Sequence, residues 1–171
     1  MPMLSPLISE HAVQARVDAL AEELCALVDA DWCLVVLLQG AMPFAVDLQR
    51  ALARRNCFPV QDCLWLESYR DARTSSGRVV VRADLSRSLE GRAALILDDV
   101  FDTGRTIAFA RAHLLAKGAA TTRACALVRK PAAGHAEIEH VGFEAEDRFL
   151  VGYGMDDGGR YRGLPYIAAL D

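Results

Sequence analysis

The sequence predicts an α/β fold, a central parallel sheet flanked by helices on both faces, and three observations carry that prediction. Apolar runs of strand length end in polar or glycine-bearing turns at residues 39–40, 98–106 and 130. Amphipathic stretches with helical spacing follow the first two of these turns. No run approaches the roughly 18 apolar residues that cross a bilayer. Strands alternating with helices build parallel βαβ units, whose polar strand ends gather at one edge of the sheet, where ligands bind.

Each element has a local cause. Ser9 is placed to cap a helix whose apolar residues Val13, Val17, Leu20, Leu24 and Leu27 recur at helical spacing. Residues 32–38 are a continuous apolar run closed by Gln39-Gly40, as in a strand buried on both faces. Pro43 opens the next helix, Phe44, Leu48 and Leu52 form its apolar stripe, and Asn56 stops it. Residues 60–67 predict a second strand. Residues 68–77 are too polar and too rich in small side chains to bury, and residues 79–83 resume an alternating pattern. This is a long hairpin with a flexible tip, either an ordinary exposed loop or a lid over a site. Residues 93–117 predict strand, polar turn and helix, with Gly118 ending the helix. The next strand covers 121–128 and stops at Arg129-Lys130-Pro131. Residues 132–147 carry a weak pattern and read as loop. A short strand over 149–153 precedes residues 154–163, which hold four glycines. The two terminal pieces are expected to be irregular and to cover one end of the sheet.

The 171 residues suggest one domain, 1–171, able to bury roughly 70% of the surface its unfolded chain exposes. Hydrophobic residues make up 53% and charged residues 25%, which excludes a disordered chain. The net charge of −4 offers no basic field to nucleic acid or to an acidic membrane. The first ten residues lack the basic start of a secretory signal, so a cytoplasmic protein is expected. Five cysteines, Cys25, Cys33, Cys57, Cys63 and Cys125, form no C-x-x-C pair and read as reduced, mostly buried thiols. His11, His113, His135 and His140 read as solvated side chains, which leaves a Ser or Cys nucleophile without a base. Neither a P-loop nor a G-x-G-x-x-G turn is present.

The densest chemistry lies between Asp98 and Thr106. Small residues, turn amides and a helix N-terminus suit a phosphate. The neighbouring acids would repel one, unless they take the hydroxyl groups of a sugar or a bridging magnesium ion. On local chemistry alone, an aspartyl-phosphate enzyme with Asp98 or Asp99 as nucleophile is also open. Asp102 reads as an acid/base group or as a turn-capping aspartate. Lys130 reads as a ligand contact or a solvated strand-end lysine, and Phe149 as a ligand platform or a core residue.

These residues carry a resemblance. The stretch from Leu95 to Thr106 resembles the phosphoribosyl-pyrophosphate signature of the type I phosphoribosyltransferases. Leu37-Leu38-Gln39-Gly40 with Phe44, Ala45, Asp47 and Leu48 resembles the pyrophosphate loop and following helix of the hypoxanthine-guanine branch. Ser68-Tyr69 and Thr74-Ser75-Ser76-Gly77 resemble its flexible lid. Lys130-Pro131, Val141-Gly142-Phe143, Asp147, the block from Phe149 to Asp156, Tyr161-Arg162 and Leu164-Pro165-Tyr166-Ile167 resemble its purine-binding end.

The resemblance implies a type I phosphoribosyltransferase fold, with a hairpin lid and a small hood formed by the N-terminal segment and about 130–171. It implies magnesium-dependent transfer of phosphoribose to N9 of a 6-oxopurine in purine salvage, by a homo-oligomer, dimer or tetramer. Asp98 and Asp99 would take the ribose hydroxyls. Thr103, Gly104, Arg105 and Thr106 would cradle the phosphate, and Leu38, Gln39, Gly40 and Arg162 the pyrophosphate. Asp102 would face the purine N7, and Lys130 would donate to the exocyclic oxygen. Phe149 would stack on the base, while Val100 and the Leu150 backbone would line it. Asp99 and Asp156 would hold metal, and Ser68 and Tyr69 would belong to the lid. Four positions depart from the family pattern. Gln39 stands where lysine is usual, and Asp98 where glutamate is. Ala132-Ala133-Gly134 replaces arginines, and Asp157 stands where an aromatic is common. A fold retained for binding phosphoribosyl pyrophosphate or a purine nucleotide without catalysis is the alternative.

Overall fold

The computed structural model describes residues 3–69, 78–134 and 136–171. The main sheet has six strands. They are β2 (Cys33–Leu38), β3 (Val60–Tyr69), β4 (Arg78–Ala83), β5 (Ala93–Phe101), β6 (Thr121–Arg129) and β7 (His140–Glu144), in the order β4-β3-β2-β5-β6-β7. All neighbours run parallel except the β3–β4 hairpin. The helices are α1 (Glu10–Cys25), α2 (Met42–Ala53) and α3 (Arg105–Ala116).

Alternation along the strands divides the core. Leu34, Val36, Leu95, Leu97, Cys125 and Leu127 pack with Val13, Val17, Leu20, Phe44 and Leu48 of α1 and α2. Their neighbours Cys33, Val35, Leu37, Ala94, Ile96, Ala124 and Ala126 pack with Ile107, Ala110 and Leu114 of α3. Helices therefore cover both faces, as the doubly apolar strands require. The Ser9 hydroxyl accepts from the Ala12 amide at 3.2 Å and fixes the start of α1.

Three strands lie where the sequence suggests irregular chain. β1 (Leu4–Ile8) and β9 (Ile167–Leu170) pair antiparallel, and β9 also pairs with β8 (Leu150–Val151), giving a separate three-stranded sheet. β7 extends the main sheet through residues read as loop. Arg16 of α1 supports this edge, donating to the Val141 and Gly142 carbonyls at 2.8 Å each. A one-dimensional pattern misses these strands because distant partners stabilise them. The strand expected over 149–153 shrinks to two residues and leaves the parallel sheet. Gly152, Tyr153 and Gly154 all take positive φ, which no strand allows.

Cys33, Cys57 and Cys125 are buried, Cys25 and Cys63 partly so, and all five are free thiols. Two histidines are less solvated than expected. His140 lies in β7 with a buried, unpartnered Nε2. His113 stacks on Phe109 and meets Asp84 at 2.9 Å. His135 lies outside the described residues, as do positions 70–77 of the hairpin tip.

Asp84 ties the end of β4 to the last turn of α3. Its carboxylate meets Lys117 Nζ at 2.5 Å as well as His113. Burial raises its pKa, but the bonds from Lys117 and His113 outweigh this and hold it down at about 2. A lowered carboxyl pKa stabilises the fold above the unfolded value, and the stability is lost as pH falls through the folded one. Asp84→Asn is therefore expected to lower Tm by about 2–4 °C at pH 7, a loss of about 1 kcal/mol for a partly exposed pair. Calorimetry should show the gap closing as pH falls from about 4 towards 2.

Candidate active site

The order β2-β5-β6 sets three strand ends side by side. β5 is longer than its apolar run suggests. It keeps its ladder to β6 through Asp98↔Ala126, Val100↔Val128 and Phe101↔Arg129. Buried Phe101 anchors this extension. Asp98 and Asp99 are thus strand residues, and the turn proper is Asp102-Thr103-Gly104.

Asp98 is buried at 7% exposure, the one buried charged residue among those described. Its carboxyl accepts from the Asp99 amide at 3.0 Å. Burial first, and the Asp99 carboxylate second, push its pKa well above the ordinary carboxylate value. The folded chain therefore keeps its proton here to higher pH than the unfolded chain does, and stability falls as pH rises above about 4. Asp98→Asn removes that cost and keeps an oxygen for the Asp99 amide. Thermal denaturation of the ligand-free protein should show Tm raised at pH 7.5, with the gain shrinking towards pH 4.

Gly104 has φ +77, and a Cβ there would lie 2.9 Å from the Ala136 side chain. It starts α3 with no side-chain cap. A helix start of this kind, with no side-chain cap, suits an anion. Thr103 and Arg105 are exposed, and Asp102 and Thr106 are half-buried. The Lys130 amide donates to the Phe101 carbonyl at 3.0 Å, which seats Lys130 beside the Asp102 turn. Val100 is half-buried.

After β2 the chain turns through Gln39-Gly40-Ala41, with the Leu38–Gln39 peptide cis. Leu38 is half-buried and Gln39 exposed. A Cβ on Gly40 would lie 1.9 Å from Asp99 Oδ2. The loop is thus flush against the acid. On its other side comes Gly154, with φ +101, whose own Cβ would lie 1.9 Å from the Gly40 carbonyl oxygen and 2.9 Å from Pro43 Cδ. Gly40 and Gly154 are glycines because two backbones and a carboxylate meet there.

This contact also brings in the small sheet. Asp156 Oδ1 pairs with Arg162 Nη2 at 2.7 Å, and Asp156 Oδ2 accepts from the Gly159 amide at 2.6 Å. Arg162 Nη1 donates to the Gly154 carbonyl at 2.5 Å. Leu150 is buried in β8, whereas Phe149 just before it is 54% exposed, so this aromatic is not a core residue. The backbones of Ser68 and Tyr69 pair with Val79 and Arg78 at the base of the hairpin. The remaining lid residues Thr74, Ser75, Ser76 and Gly77 lie outside the described residues.

One end of the sheet therefore joins an acid pair, a helix N-terminus, a glycine loop, a lysine and a second acid–arginine pair. The sequence places Gly154 and Asp47 only within blocks of resemblance; the Gly154–Gly40 contact and the Tyr153–Asp47 hydrogen bond at 2.6 Å emerge from the fold. The Gly-Tyr-Gly run at 152–154 is the signal that marks them.

Known proteins share this sequence pattern and fold. Residues 8–157 match the model of the phosphoribosyl transferase domain. The chain is 38% identical to a hypoxanthine-guanine phosphoribosyltransferase of Mycobacterium tuberculosis, covering 98% of this chain and 86% of that one. It is 36% identical to one from Bacillus subtilis, with 96% and 91% covered. Among solved structures it superposes on a hypoxanthine phosphoribosyltransferase of Staphylococcus aureus with a TM-score of 0.87, at 30% identity over 98% of this chain and 91% of that one. For a hypoxanthine phosphoribosyl transferase of Trypanosoma cruzi the TM-score is 0.89, at 26% identity over 98% and 91%. Sequence and fold agree, and the chain belongs to the phosphoribosyl transferase family, in its hypoxanthine-guanine branch.

Proposed function

We propose that this protein is a purine-salvage enzyme that transfers phosphoribose from phosphoribosyl pyrophosphate to N9 of hypoxanthine or guanine, releasing IMP or GMP and pyrophosphate. The observation that carries the reading is the clamped strand end, with Gly40 against the Asp99 carboxylate beside an uncapped helix N-terminus. A carboxylate pair beside a helix start supports acceptors for sugar hydroxyls next to donors for phosphate, which a simple anion site would not need.

In the reaction, N9 bonds to C1′ of the ribose as the bond from C1′ to the pyrophosphate oxygen breaks, with positive charge developing on the sugar. The chain's task is positioning and charge stabilisation. Asp98 and Asp99 accept from the two ribose hydroxyls. The amides of Thr103, Gly104, Arg105 and Thr106 take the 5′-phosphate. The Gln39-Gly40 loop, following Leu38, and Arg162 hold the pyrophosphate. Phe149 stacks on the base beside Val100 and the Leu150 backbone. Lys130 donates to the exocyclic oxygen, and Asp102 exchanges a proton at N7, which raises the nucleophilicity of N9.

Magnesium fits the donor set. Asp99 would offer its carboxylate to an ion at the ribose hydroxyls and Asp156 to a second ion, and magnesium is suited by one or two carboxylates with substrate oxygens completing its shell. When bound it would neutralise charge on the leaving pyrophosphate. The three-stranded sheet would act as the hood of a single domain, with Ser68 and Tyr69 in the lid. No described helix is long and apolar enough to cross a membrane, and we place the enzyme in the cytoplasm as a homo-oligomer. Incubation of the protein with phosphoribosyl pyrophosphate, magnesium and each purine base tests the reading. IMP and GMP are expected from hypoxanthine and guanine. Turnover with neither, or with adenine instead, would refute it.

A further inference from the structure

Tyr153 is an unlikely residue for its backbone. Its φ is +47, between Gly152 at +94 and Gly154 at +101. A bulky side chain strains that conformation, and glycine would adopt it freely. Such a residue persists where its surroundings over-determine it. Here the ring is buried at 4% exposure, and its hydroxyl donates to Asp47 Oδ2 at 2.6 Å. Burial and the bond to Asp47 push the phenol pKa up, so the hydroxyl remains a donor. Phenylalanine would fill the same space, so packing alone does not call for the hydroxyl.

Asp47 is a junction. Its Oδ2 also accepts from Gln14 Nε2 of α1 at 3.0 Å, and Oδ1 meets Arg50 at 3.6 Å. It lies one turn of α2 beyond Pro43, which together with the Gly40 carbonyl packs on Gly154. The Tyr153 amide is bonded to the Leu164 carbonyl at 2.8 Å and the Gly154 amide to the Arg162 carbonyl at 2.9 Å. A continuous path therefore runs from Asp47 through Tyr153 to Gly154, then to Gly40 and the Asp99 carboxylate. A branch runs from the Gly154 carbonyl to Arg162 and Asp156.

Resting on the phosphoribosyl-transfer reading, we propose that Tyr153 and Asp47 are positioning residues whose hydrogen bond sets the pyrophosphate-binding loop, Gln39-Gly40, against the Asp99 carboxylate. Neither side chain touches substrate. Their bond presses Gly154 onto Gly40, so it governs the pyrophosphate side of the site and leaves the 5′-phosphate turn and Lys130 in place.

Steady-state kinetics with hypoxanthine and phosphoribosyl pyrophosphate, and calorimetric titration with magnesium pyrophosphate alone, test this. Tyr153→Phe is expected to raise KM for phosphoribosyl pyrophosphate and Kd for pyrophosphate about tenfold, with kcat and KM for hypoxanthine within about threefold. Asp47→Ala should reproduce the pattern, and the double variant should be no worse than either single one. Asp47→Asn keeps an acceptor and should restore near-native constants. The proposal is overturned by Tyr153→Phe with unchanged pyrophosphate binding, or by equal increases in both KM values tracking a fall in Tm. If Tyr153→Phe does not fold, failure of Asp47→Ala and Asp47→Asn to separate overturns it equally. A wild-type protein that turns over no purine would instead overturn the underlying reading.

Discussion

Asp102→Asn is expected to lower kcat with hypoxanthine by about 10²–10⁴-fold, the range for loss of a positioned acid/base group. The substitution keeps the shape of the turn between β5 and α3. An amide still accepts hydrogen bonds, but it cannot exchange a proton at N7. Asp102 is half-buried and follows Phe101, whose carbonyl receives the Lys130 amide. Its loss therefore leaves the strand ends and the phosphate turn as they are. KM for phosphoribosyl pyrophosphate should stay within about threefold, since in the proposed reaction the group acts on the base and not on the sugar. Stopped assays of IMP formation, with Tm recorded alongside, check both halves. A fall in Tm with proportionate loss of phosphoribosyl pyrophosphate binding would mean that Asp102 only caps the turn.

Gly40→Ala should have a comparable effect by a steric route. The new methyl would meet Asp99 Oδ2 at 1.9 Å and Asp99 Cγ at 2.5 Å, and the Gly40 carbonyl already bears on Gly154. The loop has no direction in which to retreat without moving either the acid or the small sheet. A displacement of about 1 Å is enough to cost about 10²-fold in kcat/KM. The loss should fall mainly on phosphoribosyl pyrophosphate, whose ribose and leaving group would both be held here under the proposed reading. Gly163→Ala is the matched control, because a Cβ there meets nothing within 4 Å. Steady-state kinetics on the two variants separate the crowded glycine from the free one.

The parts of the fold written in local periodicity were legible. Apolar strands 33–38 and 93–97, the stripe Val13, Val17, Leu20, Leu24 and the Ser9 cap each depend on neighbours in sequence, and they formed as their patterns require. β1, β7 and β9 did not show, because Leu4 finds Leu170 and Val141 finds Ala126 only once the chain has folded. The strand residues of the site were readable as a motif, and Asp98 through Thr106 stand at one strand end. What the motif hid is burial. Nothing local says that Asp98 is sealed from water while Asp99 beside it is not. The exposure of Phe149 and the pairing of Asp156 with Arg162 likewise arise from the small sheet folding against the glycine loop. The two departures Gln39 and Asp98 now differ in kind. Gln39 is exposed and gives the loop no charge, whereas Asp98 is buried, and burial pushes its carboxyl pKa up.

The central claim is a division of labour, with the sugar on Asp98 and Asp99, the phosphate on Thr103 to Thr106 and the base on Phe149, Lys130 and Asp102. A crystal structure of the protein with IMP tests it most directly. Both ribose hydroxyls are expected on the two acids, the 5′-phosphate on the turn from Thr103 to Thr106, and the purine stacked on Phe149 with N7 at Asp102 and its oxygen at Lys130. A nucleotide bound with its phosphate away from that turn, or with its base away from Phe149, would contradict it.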